Sequence, residues 1–534
     1  MSQVFKALAL RSKREKKEAE TGKISWLRPK NSRYDLFTMT KQAGVGEGIA
    51  LQSWLRPALT HVGANKDYTL FREQLEAVET LLRRSHLEAM ALDFAVEGLE
   101  QASVRQQRAR RQFALKALRV ETLRMLLGNP SFRHFSRTVA ASDLLADFCG
   151  VRRLDGIRGV SKSTLERASK FFRPDQVRWM QQVLTEMCGE SDRAAELGLL
   201  EPVPTDVCLV DTTCLEANIH FPVDWVLLRD VATTLLKATK LIRAVGLRER
   251  MPQEPEAFAT QLSRLCIEMT HTRRKPDSRR ARKRVLRQFK PLVRTIAGHA
   301  RRHRDRLERD YANTKYSEAQ ALRIVERIDR MLALVPAVIK QAHERIIAER
   351  LVPNAGKILS AYEPEVQVIV RGKAGREVEF GHTLYLAESQ QGLILDWELY
   401  REKAPAEWRQ LQESVQRQNT FDLSAPLGAA VGDRGFCARA GQAALQAREI
   451  YDAVCPKDPD ELKQRMQEPR FAALQRRRGS TEGRVAILKQ RCARRLRCRG
   501  FEHRYLAVAW AVLGHNLWVV ARMLKAHEKL KAAA

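Results

Sequence analysis

Two aspartates in this chain each follow a short apolar segment, which is a position from which a carboxylate can do chemistry. Asp211 follows Val207–Val210 (VCLV), and Asp433 follows Leu427–Val431 and one glycine. Compact apolar runs of this kind are typical of buried strands. A carboxylate just past a strand end points into the crevice where ligands bind in α/β sheets. Either aspartate alone could instead simply cap a turn.

A third charged group stands in the pattern R-x3-E-x6-K, formed by Arg478, Glu482 and Lys489. At 3.6 residues per turn, these spacings place the three side chains within about 40° of one another on one helix face. Such a face offers one carboxylate to a metal and two cations to phosphate, although an ordinary charged helix face shows the same spacing. Nearby glycines could also start the helix near Ser480, which would leave Arg478 in the preceding turn.

Together these residues suit phosphodiester cleavage, which needs an activated water and a stabilised leaving oxygen. Two magnesium ions about 3.5–4 Å apart supply both. Magnesium prefers oxygen ligands and retains waters, so a few carboxylates suffice. The sequence therefore predicts Asp211, Asp433 and Glu482 as metal ligands. Three other carboxylates are weaker candidates: Glu216, Asp396 and Glu398.

The composition indicates the class of partner. The 534-residue chain has 94 Lys+Arg against 63 Asp+Glu, a net charge of +31, and such a surface is typical of nucleic-acid binding. The nine cysteines are scattered, which favours free thiols in a reducing cytosol over disulfides or a zinc finger. We find no apolar run of the ~18 residues that a membrane span needs, and we expect a soluble cytoplasmic protein of about three or four domains.

The N-terminal third is predicted to be a basic flexible arm (1–65) followed by a helical domain (66–200). Two helices are expected between Asp67 and Leu127, where Gly-Asn-Pro ends the second. Shorter helices are expected to follow at Phe132–Ala140, at Ser142–Cys149 and from near Ser161. Short capped helices with basic flanks suit a helix-turn-helix module. A small helical packing domain fits them equally well.

Residues 225–350 are predicted to form a helical insertion. Apolar residues recur at heptad spacing from Leu228 to Val245 and again from Val325 to Ile346, which predicts two helices packed as an antiparallel hairpin. Between them, His271–Asp310 carries 16 Lys/Arg against 4 Asp/Glu. This basic stretch indicates either a solvated helix face or a clamp for DNA.

After the insertion the pattern becomes that of strands, each bounded by turn residues. The tail from Thr481 to Lys531 is expected to be helical. The predicted strands are Val366–Val370, Glu377–Ala387, Gly392–Leu399, Leu427–Val431 and Ile450–Val454.

These motifs resemble, in order and spacing, the DDE transposases of bacterial insertion sequences, and the resemblance covers most of 205–520. Asp211, Asp433 and Glu482 resemble the D-D-E triad, and Arg478, Glu482 and Lys489 match three positions of the signature Y-x2-R-x3-E-x6-K. The tyrosine position of that signature holds Gln475 here. The matching stretches are DTTCLEAN (211–218), FGHTLYLA (380–387), GDRGF (432–436), GSTEGRVAILK (479–489) and, before the core, FRHFSRTVAAS and GVSKSTLER.

The resemblance implies an α/β fold: an RNase H-like mixed-sheet catalytic core (201–224 and 351–534), the helical insertion, and a helical N-terminal DNA-binding domain. In that family the first strand carries the first aspartate, a strand pair follows, the fourth strand delivers the second aspartate, and a helix carries the glutamate. The strands predicted above come in the same order.

The resemblance also implies an activity and its partners. The chain would use Mg²⁺, with Mn²⁺ as a substitute, to cleave element ends and transfer their 3′-hydroxyls to target DNA. Arg478, Lys489 and Arg434 would bind DNA, and the partners would be double-stranded DNA and a second copy of the chain, at the nucleoid. Three alternatives remain: a nuclease of the same fold without strand transfer, an inactive DNA-binding relic, and an RNA-binding protein attracted by charge alone, for which the sequence lacks the aromatic pattern.

Overall fold

A computed structural model describes residues 59, 65–99, 101–151, 159–272, 277–373, 376–420, 426–491, 495–496 and 498–533. The predicted arm, 1–65, lies outside the described residues except for Leu59 and Asn65. The chain divides into two compact units. We call them the N-terminal unit, which comprises the helices before Pro202 together with the residues from Val512 onward, and the central unit, Val203–Ala511.

The N-terminal unit is helical, as predicted. Its helices are α1 (Lys66–Arg84), α2 (Leu87–Val96), α3 (Val104–Leu126), α4 (Phe132–Ala140), α5 (Asp143–Phe148), α6 (Lys162–Ala168), α7 (Pro174–Gly189) and α8 (Ser191–Leu197).

Serine caps set the starts of several of these helices. Ser131, Ser142 and Ser161 each accept a hydrogen bond from a backbone N–H in the first turn of the following helix, as capping serines do. The prediction of only two helices before Leu127 was wrong. His86 adopts a left-handed conformation (φ 59°) that separates α1 from α2, and α3 begins anew at the Ser103 cap.

The central unit contains a mixed sheet, which confirms the predicted mixed α/β class. Its strands are β1 (Val207–Ala217), β2 (Gln367–Lys373), β3 (Arg376–Glu388), β4 (Ile394–Leu399), β5 (Ala429–Val431), β6 (Tyr451–Asp452) and β7 (Arg495–Leu496). β1 pairs antiparallel with β3 and parallel with β5 and β7. β3 pairs antiparallel with both β2 and β4, and β5 pairs parallel with β6.

Two details of the strands differ from expectation. β1 continues seven residues past the predicted Val210, because Asp211–Glu216 keeps pairing with β3 and Ala217 pairs with β7. Asp433 follows the fifth strand along the chain, as in the predicted strands, whereas the resemblance implied the fourth. The order of the carboxylates is nevertheless as predicted.

The helical insertion has a core of its own. Its helices are α9 (Asp224–Ala244), α10 (Pro255–Thr272), α11 (Ser278–Asp310) and α12 (Glu318–Ala342). The two predicted seams lie on α9 and α12, and most of their residues are buried in one apolar cluster shared by these helices. The two seam helices pack against each other, as predicted, but they are not a hairpin of consecutive helices, because α10 and α11 intervene between them. Four helices bury the seams, and two of them come from the polar-looking segment in between.

Helices also accompany the sheet: α13 (Glu407–Gln418), α14 (Arg439–Gln446), α15 (Pro459–Arg465), α16 (Pro469–Arg478), α17 (Thr481–Arg491) and α18 (Phe501–Ala533). The tail is therefore not one helix, because β7 and Gly500 (φ 81°) separate α17 from α18. Contrary to the sequence analysis, α18 contains an 18-residue window long and apolar enough to cross a membrane, but most of that window is buried inside the protein. A helix that is apolar and mostly buried is also typical of a protein core.

Candidate functional site

The sheet places the two aspartates side by side. β1 and β5 run parallel with Leu209 opposite Val431, and Asp211 and Asp433 each come two residues later. Neighbouring strands lie about 4.8 Å apart. The Cα atoms of the two aspartates are therefore at the same level along two adjacent segments of the chain. Apolar side chains fix this register, because Leu209 and Val431 are buried in one cluster beneath them.

Each of the two aspartates also accepts a hydrogen bond from a nearby backbone N–H. Asp433 caps the short 3-10 helix Arg434–Phe436, and its Oδ1 accepts from the Gly435 N–H at 2.9 Å. Asp211 Oδ1 accepts from the Thr212 N–H at 2.7 Å. The turn-capping alternative is thus correct for Asp433, whereas Asp211 lies within β1 and caps no turn. Each carboxylate has a further oxygen and still borders a cavity.

Glu482 comes from α17, which packs against β1. It is the second residue of the helix and is exposed. Arg478 is the last residue of the preceding helix, α16, and Gly479 caps that helix. The prediction of three groups on one helix face was therefore wrong for Arg478, and the alternative that left it before the helix was right.

The structure nevertheless brings these groups together around one cavity of about 550 Å³. It lies wholly within the central unit, and it contains all three predicted carboxylates and two of the three predicted cations. Its lining consists of Asp211, Thr212, Thr213, Val370, Glu407, Asp433, Arg478, Glu482, Val485, Ala486 and Lys489. Arg434 is exposed and is not part of this lining.

Glu407 is a carboxylate of the site that the sequence analysis missed. It is the first residue of α13, and its Oε1 accepts from the Thr212 hydroxyl at 2.7 Å. A methyl group on Gly435 would overlap the Glu407 carboxylate and would also lie 3.0 Å from Asp433 Oδ1. Glu407 and Asp433 are therefore close neighbours, and only glycine fits between them at position 435.

Gln475, at the position of the signature tyrosine, links the cation to the sheet. Its Oε1 accepts from Arg478 Nε at 3.2 Å. Its Nε2 donates to the carbonyl of Gly432 at 3.2 Å and to that of Ala453 at 2.6 Å. The amide thus ties Arg478 to the residue that precedes Asp433 and to the end of β6.

A buried carboxylate supports the start of α17 from below. Glu388, at the end of β3, is only 2% exposed and accepts from the Thr481 hydroxyl at 2.8 Å. Burial, and to a smaller degree Asp211, raises the pKa of Glu388, and the hydrogen bond from Thr481 together with the Arg484 and Arg477 guanidinium groups partly offsets this rise. Since Thr481 immediately precedes Glu482, this contact fixes where α17 begins.

The competing carboxylates lie elsewhere. Asp396 is buried and ion-paired with Arg417 at 2.8 Å, so it already has its counter-charge. Glu216 is five residues beyond Asp211 on β1, and alternation along a strand directs it to the opposite face. Neither it nor Glu398 is part of the cavity lining.

Two histidines of the central unit and of α18 are core residues and are not part of the cavity lining. His382 and His515 are both buried. Burial, followed by the neighbouring Arg504 guanidinium, lowers the pKa of His382 to about 4.

The donor set of the cavity fits a hard divalent cation. The groups able to ligate are carboxylates and threonine hydroxyls, with no histidine or cysteine in the lining, and oxygen ligands are those of magnesium and manganese. In the described part of the chain, no three His, Cys, Asp or Glu side chains stand grouped so that they could hold an ion. Magnesium completes its shell with water and substrate oxygens, so one or two carboxylates per ion suffice.

No family model matches this chain, and comparisons with curated proteins and with solved structures find no match.

Proposed function

We propose that this protein is a metal-dependent DNA transposase of the DDE kind, which cleaves the ends of an insertion sequence and joins their 3′-hydroxyls to target DNA. One observation carries the proposal. Asp211, Asp433 and Glu482, distant in sequence, border one cavity together with Arg478 and Lys489. Carboxylates for metal beside cations for phosphate are what phosphodiester chemistry requires.

Asp211, Asp433 and Glu482 would hold two magnesium ions, and Glu407 adds a fourth carboxylate beside Asp433. When bound, such ions activate water and stabilise the leaving oxygen of a phosphodiester. Arg478 and Lys489 would bind the flanking phosphates. Gln475 would hold Arg478 in place, because their hydrogen bond limits the movement of the guanidinium.

We further propose that the sheet, with α13–α17, is an RNase H-like core. Three features support this assignment. β1, which carries the first aspartate, has the antiparallel β3 on one side and the parallel β5 on the other. The second aspartate follows that parallel neighbour. The glutamate comes from a helix packed against β1.

The partners follow from charge and chemistry. A net charge of +31 suits double-stranded DNA, with the nucleoid as the place of action. The helices α4 to α6, with their serine caps, are our candidates for recognition of the element end. Joining two ends to one target requires both to be held together, so we propose at least a dimer during catalysis.

A nuclease of the same fold would share the cavity. A strand-transfer assay distinguishes a transposase from such a nuclease. The assay supplies a pre-cleaved duplex, taken from the DNA that flanks the gene, with a labelled 3′-hydroxyl, a supercoiled plasmid and Mg²⁺. We expect labelled plasmid with wild type and none with Glu482→Gln. Nicking of intact ends without any joining would identify a nuclease instead.

A further inference from the structure

Four exposed arginines recur every seven residues along α11. We call them the arginine stripe: Arg280, Arg287, Arg294 and Arg301. Seven residues are nearly two helical turns, so neighbouring members lie about 10.5 Å apart and the stripe spans about 32 Å. A helix of 33 residues carries them, with Pro291 between Arg287 and Arg294, and each step of seven residues shifts the row by about 20° around the helix axis.

The stripe faces away from the core of the insertion. At 100° per residue, its members lie about 120° to 180° around the helix from Phe289, which is fully buried with the other apolar residues of that face. Packing of the four helices therefore does not depend on these arginines. Their substitution leaves the core intact, which makes the stripe testable.

The stripe lacks the counter-charges that solvated faces usually have. No Asp or Glu occurs between Ser278 and Arg304. Two neighbouring cations find partners on other segments, since Lys283 pairs with Glu349 and Arg284 with Glu268. Within the residues that the structure describes, the four stripe arginines make no ion pair or side-chain hydrogen bond. A face that serves only solubility normally mixes both signs.

We infer that the arginine stripe binds the phosphate backbone of duplex DNA, at a surface separate from the cavity. The choice of DNA rests on the proposed function, whereas the stripe itself is observed. Each strand of a duplex presents one phosphate per 3.4 Å of axis, so 32 Å of stripe follows about nine base pairs. The planar guanidinium group can donate two parallel hydrogen bonds to the oxygens of one phosphate. A row of such contacts holds DNA regardless of its sequence.

This surface gives the insertion a role. Contacts to phosphates outside the cavity add affinity without touching the scissile bond. They would bind DNA beside the cleavage site or in the target, where no fixed sequence is available for recognition.

The test is binding of a fluorescent 40-base-pair duplex of arbitrary sequence, in EDTA so that nothing is cleaved, at several salt concentrations. The variant replaces the stripe, R280Q/R287Q/R294Q/R301Q. The control, K237Q/R264Q/R330Q/K340Q, removes the same charge from exposed residues scattered over α9, α10 and α12. Circular dichroism verifies that both variants keep their helices.

We expect the stripe variant to bind at least tenfold more weakly, and its log K against log salt to be shallower by about 3 to 4, since each phosphate contact contributes about 0.9. The control should change the slope by less than one. Equal effects of the two variants would overturn the proposal, because they would show only the influence of net charge. Stronger competition by duplex RNA or by polyglutamate would also overturn it, in favour of a different occupant.

A failure of the arginine-stripe inference is distinguishable from a failure of the proposed function. Binding in EDTA does not involve the metal site. A wild-type protein that binds through the stripe but never nicks DNA would leave this inference standing and remove the transposase proposal. Nicking by wild type, with no effect of the stripe variant on DNA binding, would remove this inference and leave the transposase proposal standing.

Discussion

The Thr212 hydroxyl donates to Glu407 Oε1 at 2.7 Å, and this bond joins α13 to the residue that follows the first aspartate. It holds a fourth carboxylate beside Asp433, where Gly435 leaves room for it. Like charges this close repel one another, and a divalent cation between them removes that cost. The relationship places Glu407 at the proposed metal site, a position that no sequence motif predicted.

Glu407→Gln therefore should weaken metal binding. Glutamine keeps the acceptor for Thr212 but removes the charge. We expect the Mg²⁺ concentration for half-maximal nicking to rise about 10- to 100-fold, as for other residues that tune metal sites. Thr212→Val, which removes the hydrogen bond and keeps the carboxylate, should have a smaller effect. An unchanged Mg²⁺ dependence in Glu407→Gln would exclude this role.

Gln475→Ala should slow nicking without altering the Mg²⁺ dependence. The variant releases Arg478 and removes the side-chain donor to the carbonyls of Gly432 and Ala453, of which Gly432 keeps the Cys455 N–H. Misplacement of a binding group by about 1 Å can cost 10²-fold in rate, and we expect a loss of 10- to 100-fold in single-turnover assays. Gln475→Glu restores an acceptor for Arg478 but not the donor. Recovery in that variant would assign the effect to Arg478, and wild-type rates in Gln475→Ala would refute the bracing role.

His382 should make the central unit sensitive to acid. The buried ring is neutral, because Nε2 accepts from Arg504 Nη1 at 2.7 Å and Nδ1 donates to the Tyr400 carbonyl at 3.2 Å. Its folded pKa of about 4 is below the ordinary 6.5, so below pH 6.5 the unfolded chain binds a proton that the folded one does not. Stability then falls as pH drops from 6.5 to 4, by at most about 1.4 kcal/mol per pH unit.

The measurement is urea unfolding at several pH values in that window for wild type and His382→Gln. Glutamine can replace both hydrogen bonds but does not titrate there. As the pH falls, the free energy of unfolding of wild type should decrease more steeply than that of the variant. Parallel curves would show that other groups govern the acid response.

Where local pattern decides structure, the sequence was sufficient. VCLV followed by Asp211 predicted the strand and its carboxylate, because a buried strand needs continuous apolar residues. Phe132–Ala140 was predicted to the residue, since Ser131 caps its start and the preceding Gly-Asn-Pro ends the helix before. The heptad seams likewise predicted which faces of α9 and α12 are buried.

Where tertiary contacts decide, the sequence was not sufficient. Glu407 joins the site only because α13 meets the Thr212 side of β1, which no spacing along the chain reveals. The break between α16 and α17 depends on Glu388, 93 residues before the Thr481 that it holds. The segment between the seams looked too basic for a core, yet α11 buries a narrow apolar face beneath its charges.

The most direct measurement for the central claim is Mg²⁺-dependent nicking of a labelled duplex that carries the DNA flanking the gene, comparing wild type with Glu482→Gln. Glu482 is exposed at the start of α17, so the variant should fold and bind DNA as wild type does. We predict nicking by wild type and none by the variant. Equal nicking by both would remove Glu482 from the site, and no nicking by either, with DNA binding intact, would contradict the account of this protein as an enzyme.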